Sequence, residues 1–154
     1  MRVALREAGI SQAADEVPVG CAIVHDGLVI GRGHNQIEGL QDATAHAEIL
    51  AIGAASNALG SWRLHECTMY VTLEPCAMCA GAIVLARVGR VVYGADDPKA
   101  GACGSVLDVI HEPRLNHRAE LVAGILAEEC GALLREFFQK KRRRAVEQVE
   151  PGHA

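Results

Sequence analysis

The feature that most constrains this chain is a pair of short segments, His46-Ala47-Glu48 and Pro75-Cys76-Ala77-Met78-Cys79, whose side chains make chemical sense together. Cys76 and Cys79, at i and i+3, share one face of a helix. Proline is well tolerated in a first helical turn, so Pro75 opens that helix and sets both cysteines at its N-terminus. The positive end of the helix dipole, and a metal itself, favour the thiolate form that a zinc ligand needs. His46 supplies a neutral imidazole and also lies near a predicted helix start. The fold implied brings two helix N-termini onto one ion.

Three ligands point to catalysis rather than scaffolding. A structural zinc is usually closed by four protein ligands, whereas a catalytic zinc keeps one position for water. No fourth cysteine or histidine stands at a natural spacing. Water in the open position would have its pKa lowered toward neutrality, giving a hydroxide nucleophile. Glu48, two residues from His46, does not share its helix face and is poorly placed as a further ligand. At a helix end it can still reach that water, take its proton and hand it to a ring nitrogen and then to a leaving amine. Taken singly, the segments have plainer readings. Cys-x-x-Cys also serves as a structural zinc half-site or a redox pair, and His-x-Glu alone carries little.

A chain of 154 residues, half of them apolar, suits one domain spanning 1–154 with a sizeable core. Aromatic residues are 3% of it, so aliphatic side chains must fill that core. No apolar stretch is long enough to span a membrane. Arg2, Arg6 and Glu7 near the start do not read as a secretory signal, and a cytoplasmic location is expected. Six cysteines could suggest a disulfide framework, but that logic belongs to small secreted chains. Metal ligands plus free thiols are expected instead. Cys21, Cys67 and Cys130 read as small buried apolar groups, and Cys103 as exposed in a glycine-rich loop. The histidines outside the metal segment, His25, His34, His65, His111 and His153, read as surface or packing residues. The net charge of -4 argues slightly against nucleic acid unless a local basic patch exists.

Strands and helices alternate along the chain, which implies an α/β layered fold. Residues 2–14 read as a helix weakened by Gly9, and Pro18 lies in the break after it. Asp26-Gly27 between Cys21–His25 and Leu28–Ile30 is a hairpin signal. Residues 34–44 read as a loop, with Thr44 capping a helix to about Asn57. Thr68–Thr72 and Arg90–Tyr93 read as strands around the cysteine helix, Gly94–Gly104 as a surface loop, and Glu120–Ala123 as a short strand. A helix over about 125–146 gathers Leu126, Cys130, Leu133, Phe137 and Phe138 on one side, leaving 147–154 as a disordered tail. Adjacent aromatics cannot both face one side, so one of Phe137 and Phe138 is available for stacking.

Longer segments carry a family resemblance. Glu16-Val17-Pro18-Val19-Gly20, Thr44-Ala45-His46-Ala47-Glu48, the run from Tyr70 through Pro75-Cys76-Ala77-Met78-Cys79-Ala80-Gly81-Ala82, Gly89–Gly94 and Asn116-His117-Arg118 together resemble the bacterial tRNA-specific adenosine deaminases over nearly the whole chain. The metal segments match the general signature of zinc deaminases. The resemblance implies a three-layer cytidine-deaminase-like fold, a central mixed sheet of about five strands with helices on both faces. It also implies one zinc per subunit, a homodimer, and a tRNA anticodon stem-loop as partner. The implied reaction converts wobble adenosine to inosine by attack of zinc-bound hydroxide on C6 of the flipped-out base, with Glu48 as proton shuttle. Leu73 and Glu74 would line the pocket, and Val17, Pro18, Asn35 and Ala47 fall at base-binding positions. Asn35 reads equally well as a turn residue. Relative to the family the first helix begins late, by about two turns.

Other residues are expected at the RNA. Asp97 could accept a hydrogen bond from a ribose 2′-hydroxyl, or be an exposed turn aspartate. Lys99, His117, Arg118 and Phe138 are further candidates. Lys140–Arg144 reads as a phosphate contact or as a solvated helix end. Three alternatives stay open: a free-base or nucleoside deaminase for guanine or cytosine, a non-catalytic zinc-stabilised RNA-binding subunit, and a structural zinc module closed by Cys103 or a histidine. The presence of Glu48 weighs against the second.

Overall fold

The alternation seen in sequence becomes helix α1 (Arg2–Ala13), strands β1 (Gly20–His25) and β2 (Leu28–His34), a short helix α2 (Ile37–Leu40), α3 (Ala47–Leu59), β3 (Cys67–Leu73), α4 (Ala77–Leu85), β4 (Arg90–Ala95), β5 (Glu120–Val122) and α5 (Ala127–Val149). The structure is a computed structural model that describes residues 1–149. Asp26 and Gly27, with φ of 48° and 75°, make the two-residue turn between β1 and β2, a left-handed pair that matches the strands' twist. The sheet runs β2-β1-β3-β4-β5. β1 is antiparallel to β2 and β3, while β3, β4 and β5 are parallel. α1 and α5 cover one face, and α3 lies on the other beside α4. This is the expected mixed five-stranded, three-layer arrangement.

Small residues set how closely the layers approach. Gly31 and Gly33 on β2 share one face, where α3 presents Ala47, Ala51 and Ala55, all fully buried. A Cβ on Gly31 would lie 2.6 Å from the Ala51 carbonyl oxygen, and one on Gly33 would strike that of Ala47. This glycine–alanine seam presses the first turn of α3 onto β2 and so fixes His46 and Glu48. On the opposite face Gly20 meets the backbone of α1, and Gly94 meets Cys130 on α5.

The strand directions gather the chemistry at one edge. The ends of β2, β3 and β4 and the start of β1 lie together there, the place where open α/β sheets bind ligands.

Several expectations need correction. Thr44 does not cap α3. Its hydroxyl donates to Asp42 Oδ1 (2.7 Å), and His46 is the N-cap, with α3 ending at Leu59. The region 34–44 contains the short helix α2. The segment after β4 is not merely a surface loop: Gly101, Ala102 and Cys103 are buried. Cys103 is therefore not exposed. Positive φ at Gly124 and Leu126 delays the last helix to Ala127, and it runs on to Val149, past the boundary at 146. Of the expected tail, 150–154 and with it His153 lie outside the described residues. Cys21, Cys67 and Cys130 are buried, and all six cysteines are free. No helix among the described residues is long and apolar enough to cross a membrane.

Candidate active site

His46 and Cys76 are the N-cap residues of α3 and α4, and Cys79 sits one turn into α4. Two helix N-termini therefore meet at the sheet edge. His46 Nδ1 lies 3.6 Å from Cys76 Sγ and 3.5 Å from Cys79 Sγ. All three donor atoms are within 4.8 Å of one another. An ion held tetrahedrally at about 2.3 Å from sulfur and about 2.1 Å from nitrogen needs donors about 3.6 Å apart, so the set fits zinc. Among the described residues neither Cys103 nor another histidine joins the group.

The trio's protonation follows from its contacts. Hydrogen bonds from the Cys79 thiol and from His46 hold Cys76 down at about 3, despite burial. The bond to Cys76 pushes Cys79 well up, with burial adding to it, so Cys79 must shed a proton for a metal to bind. Hydrogen bonding to Cys76 raises His46 as well.

Glu48 is the second residue of α3, 4% exposed, and faces the same cavity outside the ligand trio. Burial pushes it up to about 7, against the pull of its own backbone N–H and the imidazole of His46. A carboxyl there holds or releases a proton near neutral pH, the property a general acid–base group needs.

The cavity has a volume of about 220 Å³. Val17, Asn35, Ala47, Leu73, Glu74 and Asp97 line it beside His46, Glu48 and Cys76, and Val19, Ile37 and Ala100 complete the wall. Pro18 does not reach it and is buried instead. A second cavity of about 710 Å³ shares Val17, Leu73 and Asp97 with the first and carries Lys99, Arg135, Phe138 and Arg142.

A family model described as MafB19-like deaminase matches residues 1–142. The tRNA-specific adenosine deaminase of Bacillus subtilis (strain 168) is 50% identical over 94% of this chain and 89% of its own length. The chain belongs to the tRNA-specific adenosine deaminase family. Among solved structures, one from a study of A-to-I editing by tRNA deaminases at the wobble position of transfer RNA is similar to this deaminase. Its TM-score is 0.84 at 46% identity, over 87% of this chain and 97% of that one. A guanine deaminase from Nitrosomonas europaea is also similar, at TM-score 0.75 and 27% identity, covering 87% and 80% respectively.

The geometry of the deaminase revises several expected roles. Glu74 lines the cavity, but its carboxylate turns away into the segment after β4. It accepts from the backbone N–H groups of Asp97 (2.9 Å), Cys103 (3.0 Å) and Ser105 (3.1 Å) and from the Ser105 hydroxyl. Gly101 must be glycine, because a Cβ there would strike that carboxylate. Burial opposes ionisation of Glu74, yet the Ser105 hydroxyl and the three N–H groups outweigh it and hold Glu74 below the ordinary carboxylate range. The stability this lends is present above the ordinary value and lost as pH falls through the lowered one. Glu74→Gln is expected to destabilise the fold by roughly 1–3 kcal/mol, by leaving a buried donor unpaired. In urea unfolding from about pH 6 to about pH 3, the gap from the native chain should narrow on the acid side.

Asp97 is better read as a turn residue. Its Oδ1 accepts from the backbone N–H groups of Lys99 (3.0 Å) and Ala100 (3.2 Å), which closes the turn. His117 and Arg118 are not brought to the site. They precede β5 at the opposite end of the parallel strands. There His117 Nε2 meets the Val88 carbonyl at 2.7 Å and Arg118 donates to that of Pro113. In the basic run, Lys141 and Arg144 pair with Asp15 at 3.0 and 3.2 Å, while Arg142 reaches the second cavity.

Proposed function

We propose that this deaminase converts adenosine to inosine at the wobble position of a tRNA anticodon, using one zinc ion per subunit held by His46, Cys76 and Cys79. The observation that carries the reading is a buried Glu48 beside that trio, in a small cavity that opens onto a second one lined by Phe138, Arg142 and an Arg135 that pairs with Glu128. An aromatic face with nearby guanidinium groups suits a stacked base and its phosphate. Zinc in the site would act as a Lewis acid and lower the pKa of a water toward neutrality. Glu48 takes one proton from the attacking water and gives it to the ring nitrogen as the C6–O bond forms, then takes the proton of the new C6 hydroxyl and gives it to the amine. The bond from C6 to the exocyclic nitrogen breaks and ammonia leaves. Leu73 and Val17 supply apolar walls, and Asn35 the polar contact that orients the base.

A homodimer agrees with the exposed apolar side chains of Leu85, Val106 and Leu107, which a subunit interface would cover. A tRNA substrate agrees with a cytoplasmic location.

Removing the Phe138 ring by Phe138→Ala is expected to raise KM for an anticodon stem-loop by roughly 5- to 150-fold, the equivalent of about 1–3 kcal/mol of stacking, with kcat less affected. An unchanged KM would mean that no nucleotide stacks there. The reading as a whole is tested by incubating a tRNA carrying wobble adenosine with the zinc-loaded enzyme and mapping inosine by sequencing. Inosine confined to the wobble position is expected. Turnover of free guanine or cytidine, with the tRNA untouched, would favour the free-base alternative.

A further inference from the structure

Three buried polar side chains outside the metal site, Ser11, Glu16 and Asn35, converge behind the pocket wall. Asn35 is tied at its backbone: its N–H donates to the Val19 carbonyl (3.1 Å), and its carbonyl accepts the Ser11 hydroxyl (2.9 Å). Its amide is tied separately. Glu16, 3% exposed, accepts from Asn35 Nδ2 at 3.3 Å with one oxygen and from the Gly39 backbone N–H at 2.7 Å with the other. Asn35 lines the cavity and Glu16 does not.

We propose that Glu16 is a positioning residue that sets the orientation of the Asn35 amide and thereby the donor and acceptor pattern shown to the substrate base. This rests on the reading of the cavity as the base pocket. With both oxygens facing N–H donors, Glu16 presents an acceptor to Asn35. The Asn35 amide must then direct its NH2 toward Glu16, with Oδ1 on the other side. One amide hydrogen and Oδ1 are left for the base. Without the clamp, either end of the amide could face inward. The link to Gly39 extends the clamp to α2, whose Ile37 forms part of the wall.

The exchange of Glu16 and Asn35 for their isosteres separates positioning from folding. In Glu16→Gln the side-chain oxygen still accepts from Gly39, but an NH2 group now faces the NH2 of Asn35, and the Asn35 amide turns over. In Asn35→Asp two carboxylates confront each other. The double variant restores one donor against one acceptor. On a stem-loop with wobble adenosine, each single change is expected to lower kcat/KM by about tenfold or more, and the double variant to recover about tenfold over Asn35→Asp alone. Zinc content should be unchanged throughout. Losses that simply multiply would overturn the proposal and leave Glu16 a folding role. The Asn35 side-chain amide resonances of the substrate-free zinc enzyme provide a readout that does not depend on the substrate. They should shift and lose exchange protection in Glu16→Gln, and unchanged resonances would also overturn the clamp. No inosine from the native enzyme, together with the amide response in Glu16→Gln, would instead sink the functional reading and keep the clamp.

Discussion

Glu48→Gln should lower kcat on an anticodon stem-loop by about 10²- to 10⁴-fold, the usual range for losing a positioned general acid–base group. The amide keeps the size of the carboxyl and can donate hydrogen bonds, but it cannot take a proton from water. Glu48 lies in the first turn of α3, buried against the trio and pushed up to about 7 by burial. Glutamine removes a titrating group from that setting without opening a cavity. RNA affinity and zinc content should therefore stay within a few-fold of the native values. Single-turnover inosine formation, equilibrium binding and metal analysis on the same preparation separate these terms. A variant that lost zinc along with activity would point to a ligand-supporting role for Glu48 and away from proton transfer.

The second large effect concerns the metal. Cys79→Ala, or prolonged chelation of the native enzyme, should abolish turnover and lower the thermal midpoint. The trio bridges the α3 and α4 N-termini, so a zinc ion held there would bind the folded state selectively. At free zinc 100-fold above Kd this linkage stabilises by about 2.7 kcal/mol. Affinity should also fall as pH drops. The Cys79 thiol and the His46 imidazole are both raised by hydrogen bonding to Cys76, and both must be proton-free at the ligating atom to bind. Calorimetry in buffers of different ionisation enthalpy should detect proton release on loading. Full activity in a chelated, metal-free preparation would contradict the assignment.

Local signals made much of this fold readable. The Asp26-Gly27 turn, the cysteines at the start of α4 and the alternation of strands and helices all depend on nearby residues, and the structure follows them. What sequence reasoning misplaced depends on partners far along the chain. The acceptors that bury the segment after β4 come from Glu74, and the anion that engages Lys141 and Arg144 is Asp15. His117 and Arg118 lie in a recognisable segment, but the parallel order of β3, β4 and β5 carries them to the far end of the sheet. Glu16 opens the Glu16–Gly20 segment, where an acid beside apolar residues is the one local sign of the buried role it shares with Ser11. The Gly31-x-Gly33 pair opposite Ala47, Ala51 and Ala55 is a spacing signal that could have placed α3 on β2 in advance.

The most direct test of the central claim compares rates of base conversion by the zinc-loaded native enzyme. The substrates are a stem-loop with adenosine at the wobble position, free adenosine, guanine and cytidine, under single-turnover conditions. The account predicts inosine and ammonia from the stem-loop at a rate orders of magnitude above any free substrate, because Phe138 and the nearby arginines engage nucleotides beside the flipped base. Equal or faster conversion of a free base or nucleoside would contradict it.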